Sequence, residues 1–275
     1  MPNNNGAKIP KELEPLAKRL RRLSPTQFAK LAAFFGPPPF KPKPIKSWSV
    51  LPKEGIIVIT GEVGEGKSGT AWWLAEKLHK SGRRIACYAF TRQAKRALPK
   101  WVKKDIQTVR DVVRLKPSVV IVDETAINAN ARRSMSEGNV DWTKLAAIVR
   151  HKGHLLIYIA QHARQVDAAI ITGANLVVMK RPSQLHIRFS RPELRPELER
   201  AYEAFNKIRG DTARKKKAYV VDYRWAFEGM LATGLPSFWS DKLSRAFAAV
   251  DFDDENEPQP RRRQTGARTT RRTRQ

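Results

Sequence analysis

The chain has 275 residues, enough to bury one substantial core and to form one or two domains. Its 53 lysines and arginines against 26 acidic side chains give a net charge of +27, which predicts a polyanionic partner, most simply nucleic acid; an anionic membrane surface or a merely soluble basic surface is the alternative. One cysteine excludes an internal disulfide, five histidines do not fall at metal-ligand spacings, and no apolar run approaches the roughly 18 residues that span a bilayer. With no signal-peptide core at its start, the chain is expected to be soluble and cytoplasmic. The positive charge is not confined to the ends, because residues 56–250 alone hold 35 basic and 18 acidic side chains.

Residues 1–10 carry no apolar pattern and are expected to be disordered. Leu13, Leu16, Ala17 and Leu20 then share one helical face. Ser24-Pro25 reads as an N-cap followed by proline at the first helical position, opening a second helix with Phe28, Leu31, Ala32 and Phe35 inward. The proline-rich run from Gly36 to Pro44 predicts a stiff, extended linker. Residues 1–46 are thus expected to form a helical arm and linker, which can bind nucleic acid, a neighbouring subunit or its own core.

The apolar run Gly55-Ile56-Ile57-Val58-Ile59-Thr60 predicts a buried strand, and it leads directly into Gly61-Glu62-Val63-Gly64-Glu65-Gly66-Lys67-Ser68, a G-x-x-x-x-G-K-S sequence. After it, Ala71, Leu74, Ala75 and Leu78 mark a helix. A phosphate chain needs inward-turned backbone N–H groups, glycines that let the backbone approach, a lysine for the β and γ phosphates and a hydroxyl for Mg²⁺. The stretch from Gly61 to Ser68, with Gly69 beyond it, meets all four needs, so ATP and Mg²⁺ are the expected ligands.

From this point strands and helices alternate, which predicts an α/β fold with a mostly parallel sheet and helices on both faces. Arg84 to Phe90 reads as a strand holding Cys87 as a small buried hydrophobe, and a helix is expected near Thr108 to Leu115. Ser118 to Val122 reads as a buried strand that ends in Asp123-Glu124, followed by a polar loop from Thr125 to Gly138. Asp141 can cap a helix carrying Trp142, Leu145, Ala146 and Val149, which ends in Arg150-His151-Lys152-Gly153; His151 and His154 are expected in a loop. His154 to Ala160 is the next strand and stops at Gln161, Ile170 lies in a short helix, and Asn175 to Lys180 is a further strand.

Beyond Arg181-Pro182, short strands are expected at His186–Ser190 and Lys217–Tyr223, flanking a helix with Leu198, Ala201, Tyr202 and Phe205 on one side. Ser240 can cap a last helix with Leu243, Ala246, Phe247 and Val250. The expected organisation is therefore an ATPase core over residues 47–182, a small C-terminal α+β appendage over 183–250 and a disordered tail over 251–275, acidic and then arginine-rich.

Triphosphate hydrolysis needs a metal on the β and γ phosphates, a group that orients or deprotonates water, and positive charge for the transition state. Ser68 and Asp123 are the candidate metal ligands, Lys67 binds phosphate, and Glu124, one residue past the metal-binding acid, is the candidate to orient the water. An acidic pair at this point favours hydrolysis over transfer to a small acceptor.

The phosphate loop, the run from Val119 to Glu124 and the segment from Arg150 to Asp167 resemble those of the FtsK-HerA ATPases. The resemblance covers residue 56 to about 181 and implies a P-loop NTPase fold of the RecA/ASCE type. It implies a multimeric DNA-pumping motor, most like the viral genome-packaging ATPases and related to conjugation motors and the zonula-occludens-toxin-like proteins. It implies that Gln161 senses the γ-phosphate, that double-stranded DNA is the partner, and that copies form a ring which can meet a capsid or portal vertex in host cytoplasm or virion. An arginine from the next subunit would complete each site; Arg150 is the candidate, Arg132, Arg133 and Arg181 are rivals, and a solvated helix end is the other reading of Arg150. Glu62 and Glu65 inside the loop depart from the family's pattern, and the chain lacks the membrane segment of the toxin-like members. A conjugation or phage-assembly ATPase, a nucleotide-gated nucleic-acid-binding assembly protein and a small P-loop kinase are the competing readings.

Overall fold

The computed structural model describes residues 42–88, 90–123, 142–160, 166 and 168–248, together with Glu14, Ser24 and Gln27. The chain divides into two compact units, Met1–Lys43 and Pro44–Gln275. In the first, Ser24 and Gln27 make a reciprocal capping box. Ser24 Oγ accepts from the Gln27 amide at 3.2 Å and Gln27 Oε1 accepts from the Ser24 amide at 3.0 Å, as expected of a helix opening there. The apolar face of the first helix, the rest of the second, the loop from Thr125 to Gly138, Asp141, and the tail over 251–275 lie outside the described residues.

The second unit is built on strands β1 (Lys43–Pro44), β2 (Gly55–Thr60), β3 (Arg84–Tyr88), β4 (Val102–Ile106), β5 (Ser118–Asp123), β6 (Leu155–Ile159), β7 (Leu176–Met179), β8 (Lys217–Asp222) and β9 (Phe227–Ala232). They form one sheet in the order β1-β9-β8-β7-β2-β6-β5-β3-β4. The pairs from β7 through β2, β6, β5 and β3 to β4 are all parallel, while β8 and β9 join antiparallel. The main helices are α1 (Lys67–Lys80), α2 (Arg92–Ala97), α3 (Val109–Arg114), α4 (Trp142–His151), α5 (Ala168–Thr172), α6 (Gln184–Arg188), α7 (Arg195–Asn206), α8 (Asp211–Lys215) and α9 (Asp241–Ala248). No helix among the described residues is long and apolar enough to cross a membrane.

Helices cover both faces, which is why β2, β5, β6 and β7 are apolar at nearly every position. Successive side chains alternate between two cores. Ile56 and Val58 pack with Leu145 and Val149 of α4 and Leu198, Ala201 and Phe205 of α7; Ile57 and Ile59 pack with Trp72 and Leu74 of α1 and Leu243 of α9. Cys87 is buried in the second core, and burial pushes its thiol up to about 12, so it packs and does not react.

The structure overturns one local expectation and adds two strands that carried no sequence signal. The His186–Ser190 segment, expected as a strand, is largely helix α6, because Ser183 Oγ accepts from the His186 amide at 3.1 Å and caps a helical turn. His154 is fully buried, with Nδ1 accepting from the Ser118 amide at 3.1 Å. It lies in the loop before β6, as expected, and from this buried position ties β5 to β6. Strand β4 and strand β9 were both unexpected. The first carries Val-Lys-Lys-Asp-Ile at the sheet's edge with only its ends buried; the second is the return strand of a hairpin closed by Tyr223–Ala226. The hairpin extends the same sheet as the phosphate-loop strand.

Trp72 is fully buried between Phe90, Phe238 and Phe247, with ring centroids 5.9, 6.1 and 6.0 Å away. Its indole N–H has no hydrogen-bond partner among the described residues. Trp72→Ala should therefore lower the unfolding free energy by about 3–5 kcal/mol. Trp72→Phe, which keeps a ring and deletes the unpaired N–H, should lose no more than about 1–2 kcal/mol. Denaturant midpoints of the two variants test the difference; equal losses would mean that volume alone decides at this site.

Candidate nucleotide site

Strand β2 ends at Thr60 and the loop Gly61–Gly66 carries the chain into α1. Gly66 is the helix N-cap at φ 86, ψ 30, a left-handed conformation that a side chain would strain, and its carbonyl accepts from the Thr70 amide at 3.0 Å. Gly61 is required for a different reason. A Cβ there would lie 2.7 Å from Lys180 Cβ and 2.8 Å from the Lys180 carbonyl oxygen. Lys67, buried in the first turn of α1, donates from Nζ to the carbonyls of Gly61 at 2.8 Å and Glu62 at 2.9 Å, so its ammonium lies within the loop. The N–H groups at the start of α1 and this ammonium make a cradle for anionic oxygens. Ser68 is half-buried beside it, and Gly69 lies where a Cβ would meet Leu235 Cδ2 at 2.6 Å.

Asp123 closes β5 and is 8 % exposed. Its register partner on β6 is Ile159, which is in turn level with Ile59 of β2. Asp123 is therefore at the loop end of the sheet, two strand spacings or about 9–10 Å from β2 in the sheet direction. Strand β6 fills the gap, and the Ala160 amide donates to the Ile59 carbonyl at 2.9 Å, so the chain leaves β6 between loop and acid. A buried carboxylate and a serine hydroxyl are hard oxygen donors that fit Mg²⁺.

Glu124 and Gln161 immediately follow Asp123 and Ala160 but lie outside the described residues, as do Arg132 and Arg133. Arg150 is exposed in the last turn of α4, whose chain then enters β6 at its amino end. That puts it at the sheet end opposite the loop, about 16 Å away along the strand. Arg181 sits beside the loop instead, with its guanidinium 3.9 Å from Glu65 and 3.7 Å from Asp211.

The two loop glutamates turn onto the segment after β7. Glu62 Oε1 accepts from Ser183 Oγ at 2.5 Å and lies 3.7 Å from His186 Nδ1; Glu65 faces Arg181. Val63, between them, is 72 % exposed at the loop's tip. Sequence reasoning missed Lys180, which is fully buried behind the loop. Its ammonium donates to the carbonyls of Lys215 and Lys217, each at 2.7 Å, and to Thr233 Oγ1 at 3.2 Å. Burial lowers its pKa to about 8, against the opposing pull of Glu65. The only sequence signal was a lysine ending an apolar strand.

A concavity of about 650 Å³ lies at the other end of the sheet, lined by His79, Arg84, Trp101, Lys103 and Arg114 among others. No metal-binding cluster of three or more His, Cys, Asp or Glu side chains exists among the described residues.

No protein-family model matches the chain, and no curated protein matches it. Among solved structures it is similar to the genome packaging NTPase B204 from Sulfolobus turreted icosahedral virus 2 in complex with AMPPCP. That match has 14% identity and a TM-score of 0.45, over 67% of this chain and 100% of that one. It is also similar to the pCW3 conjugation coupling protein TcpA, at 14% identity and a TM-score of 0.43 over 71% of this chain and 65% of that one. A third is the flagellar accessory protein FlaH from Methanocaldococcus jannaschii, at 18% identity and a TM-score of 0.33 over 47% of this chain and 72% of that one.

Lys180 generates a pH signature. Below pH 8 both folded and unfolded chains hold its proton and the burial cost is felt in full. Between pH 8 and the ordinary lysine range near 10.5 the unfolded chain keeps a proton that the folded chain has released, so this contribution stabilises the fold as pH rises. Relative to Lys180→Met, the wild type should gain on the order of 3 kcal/mol across that window. Denaturant titrations of both proteins at pH 7.5 and 10 check this, and a constant difference would show that Lys180 stays charged.

Proposed function

We propose that this chain is an ATP-hydrolysing motor that translocates double-stranded DNA, most like the enzymes that package viral genomes into capsids. The observation that carries this reading is the position of β6 between the phosphate-loop strand and the Asp123 strand, with Ala160 at its end bonded to Ile59, so that Gln161 follows directly in the sequence. An amide there is suited to sense the γ-phosphate and to pass its state to neighbouring segments. The basic composition of the folded part supports a polyanionic partner.

In this reading ATP is the substrate, and Ser68 and Asp123 would hold a Mg²⁺ ion, which would supply positive charge for the β and γ phosphates. Lys67 exchanges its two loop carbonyls for phosphate oxygens. Glu124 orients and deprotonates the attacking water, and Gln161 reports whether the γ-phosphate is present. Copies assemble into a homo-oligomeric ring, with a capsid or portal vertex as the docking point. Arg150 lies too far from its own loop to act there, so a catalytic role for it belongs in a neighbouring copy's site.

Lys67→Ala should abolish ATP turnover and weaken nucleotide binding, whereas Glu124→Gln should keep binding and lose roughly 10²–10⁴-fold in turnover. Duplex DNA should stimulate the wild-type rate. Equal loss of nucleotide affinity in both variants removes Glu124 from its role, and a rate indifferent to DNA but raised by a small acceptor returns the kinase reading. Mixing Arg150→Ala with Lys67→Ala subunits should restore part of the activity. No recovery in oligomers shown to be mixed excludes Arg150 as the arginine acting in trans.

A further inference from the structure

Helix α6 begins at the phosphate loop and ends in a cluster of arginines. At its start, Ser183 and His186 hold Glu62 of the loop. At its other end, Arg188, Phe189, Ser190, Arg191, Pro192 and Arg195 line a concavity of about 550 Å³. Arg188 and Arg195 are exposed, and neither forms an ion pair among the described residues. Arg191 is oriented by a hydrogen bond from its guanidinium to the Val166 carbonyl at 2.7 Å, while its buried Nε has no partner among the described residues. The Arg195 guanidinium donates to the Arg188 backbone carbonyl at 3.3 Å, which draws it back over the end of α6. Phe189 is 56 % exposed beneath the Arg188 guanidinium, at 5.9 Å.

Three guanidinium groups on one short stretch repel one another, and nothing in the core's packing asks for them. Guanidinium forks match phosphate oxygens better than ammonium groups do. The twelve-residue helix α7 also opens at this concavity without a side-chain cap, adding its positive end to the same field. Glu193 is the one acid between these arginines, so the stretch from Arg188 to Arg195 keeps a net positive charge.

We infer that this surface, from Arg188 to Arg195, binds the phosphodiester backbone of duplex DNA. The inference deepens the motor reading and rests on it for the identity of the polymer. It assigns contact to the far end of α6, whose start meets Glu62 of the phosphate loop, so polymer and nucleotide meet the two ends of one helix. Arg191 positions the patch from the Val166 side, and Arg188 and Arg195 present exposed guanidinium groups.

The test is binding of a short fluorescent DNA duplex to the full chain across a salt series. The variants are Arg188→Gln/Arg191→Gln/Arg195→Gln, the charge reversal Arg188→Glu/Arg195→Glu that leaves Arg191 intact, and a control in which Arg261, Arg262 and Arg263 become Gln. Each neutralised phosphate contributes about 0.9 to the slope of log affinity against log salt, so the triple variant should lower the slope by about 2–3. Its affinity at moderate salt should fall by more than an order of magnitude, the charge reversal should bind more weakly still, and basal ATP turnover and thermal midpoint should stay near wild type. Should the triple variant lose its midpoint, the charge reversal carries the decision, since Arg191 keeps its bond to Val166.

An unchanged slope in a folded charge-reversal variant, with the wild type binding normally, overturns the assignment. A wild type that binds no DNA at any salt instead overturns the motor reading beneath it. A change in oligomer size with unaltered DNA affinity would make the surface a contact between copies and reject the inference. A loss confined to single-stranded DNA, reproduced by Phe189→Ala, would reject the duplex assignment.

Discussion

The constraint on which this structure depends is that the end of β2 cannot move. A loop that presents amide groups to phosphate is useful only if its backbone is fixed before the ligand arrives, because reorganisation at that moment would be subtracted from binding. Here β2 is clamped from both sides. The Ala160 amide reaches Ile59 from β6, the Lys180 amide reaches Thr60 at 2.7 Å from β7, and the Glu62 amide reaches the Arg181 carbonyl at 3.2 Å. The buried Lys180 ammonium then fastens the β7 end to residues 215, 217 and 233. The hairpin β8–β9 therefore belongs to the mechanical support of the phosphate loop, although it lies far from it in sequence.

Electrostatics impose a second constraint on the same loop. A carboxylate about 8 Å from a phosphate charge costs about 2 kcal/mol at an effective dielectric constant of 20, and this loop has two. Both are drawn onto the segment after β7, where a hydroxyl, an imidazole and a guanidinium receive them. The repulsion is offset locally, and the loop acquires side-chain ties to α6 and Arg181. An acid that looks out of place in a phosphate loop thus becomes a joint between that loop and the C-terminal segment.

How much of this the sequence disclosed follows from which face of each element is buried. Strands β2, β5, β6 and β7 are covered on both sides and read as unbroken apolar runs, and α4 and α7 carry clear apolar stripes, so the layered α/β fold was legible. Strand β4 was not, because an edge strand with three polar residues between Val102 and Ile106 has no periodic signal. The alternating His-Ile-Arg-Phe-Ser pattern misled because a single cap at Ser183 outweighed it. Lys67, Ser68 and Asp123 could be proposed as site residues because their chemistry is local to a motif. The contacts of Glu62, Glu65 and Lys180 were not, since each joins residues more than a hundred positions apart, or in the case of Lys180 lies buried behind backbone carbonyls that have no side-chain signature.

The short length of α6 has a thermodynamic consequence for the motor reading. Five residues span about 7.5 Å, so the Glu62 contact and the arginine cluster are separated by little more than one helical turn, with no flexible loop between them to absorb a displacement. If occupancy of the phosphate loop alters the bond from Ser183 to Glu62, the start of α6 must shift or lose an interaction, and the free energy of that change appears at its other end. Linkage makes the coupling reciprocal: a polymer that prefers one position of α6 must change nucleotide affinity by the same factor that nucleotide changes polymer affinity. Under that reading hydrolysis would break the symmetry, because the polymer would then meet a loop without a γ-phosphate and without part of the charge that competes with Glu62 for nearby cations. A directional cycle would need that difference, and under the motor reading the hydroxyl–carboxylate contact between Ser183 and Glu62 at the start of α6 is the proposed place for it.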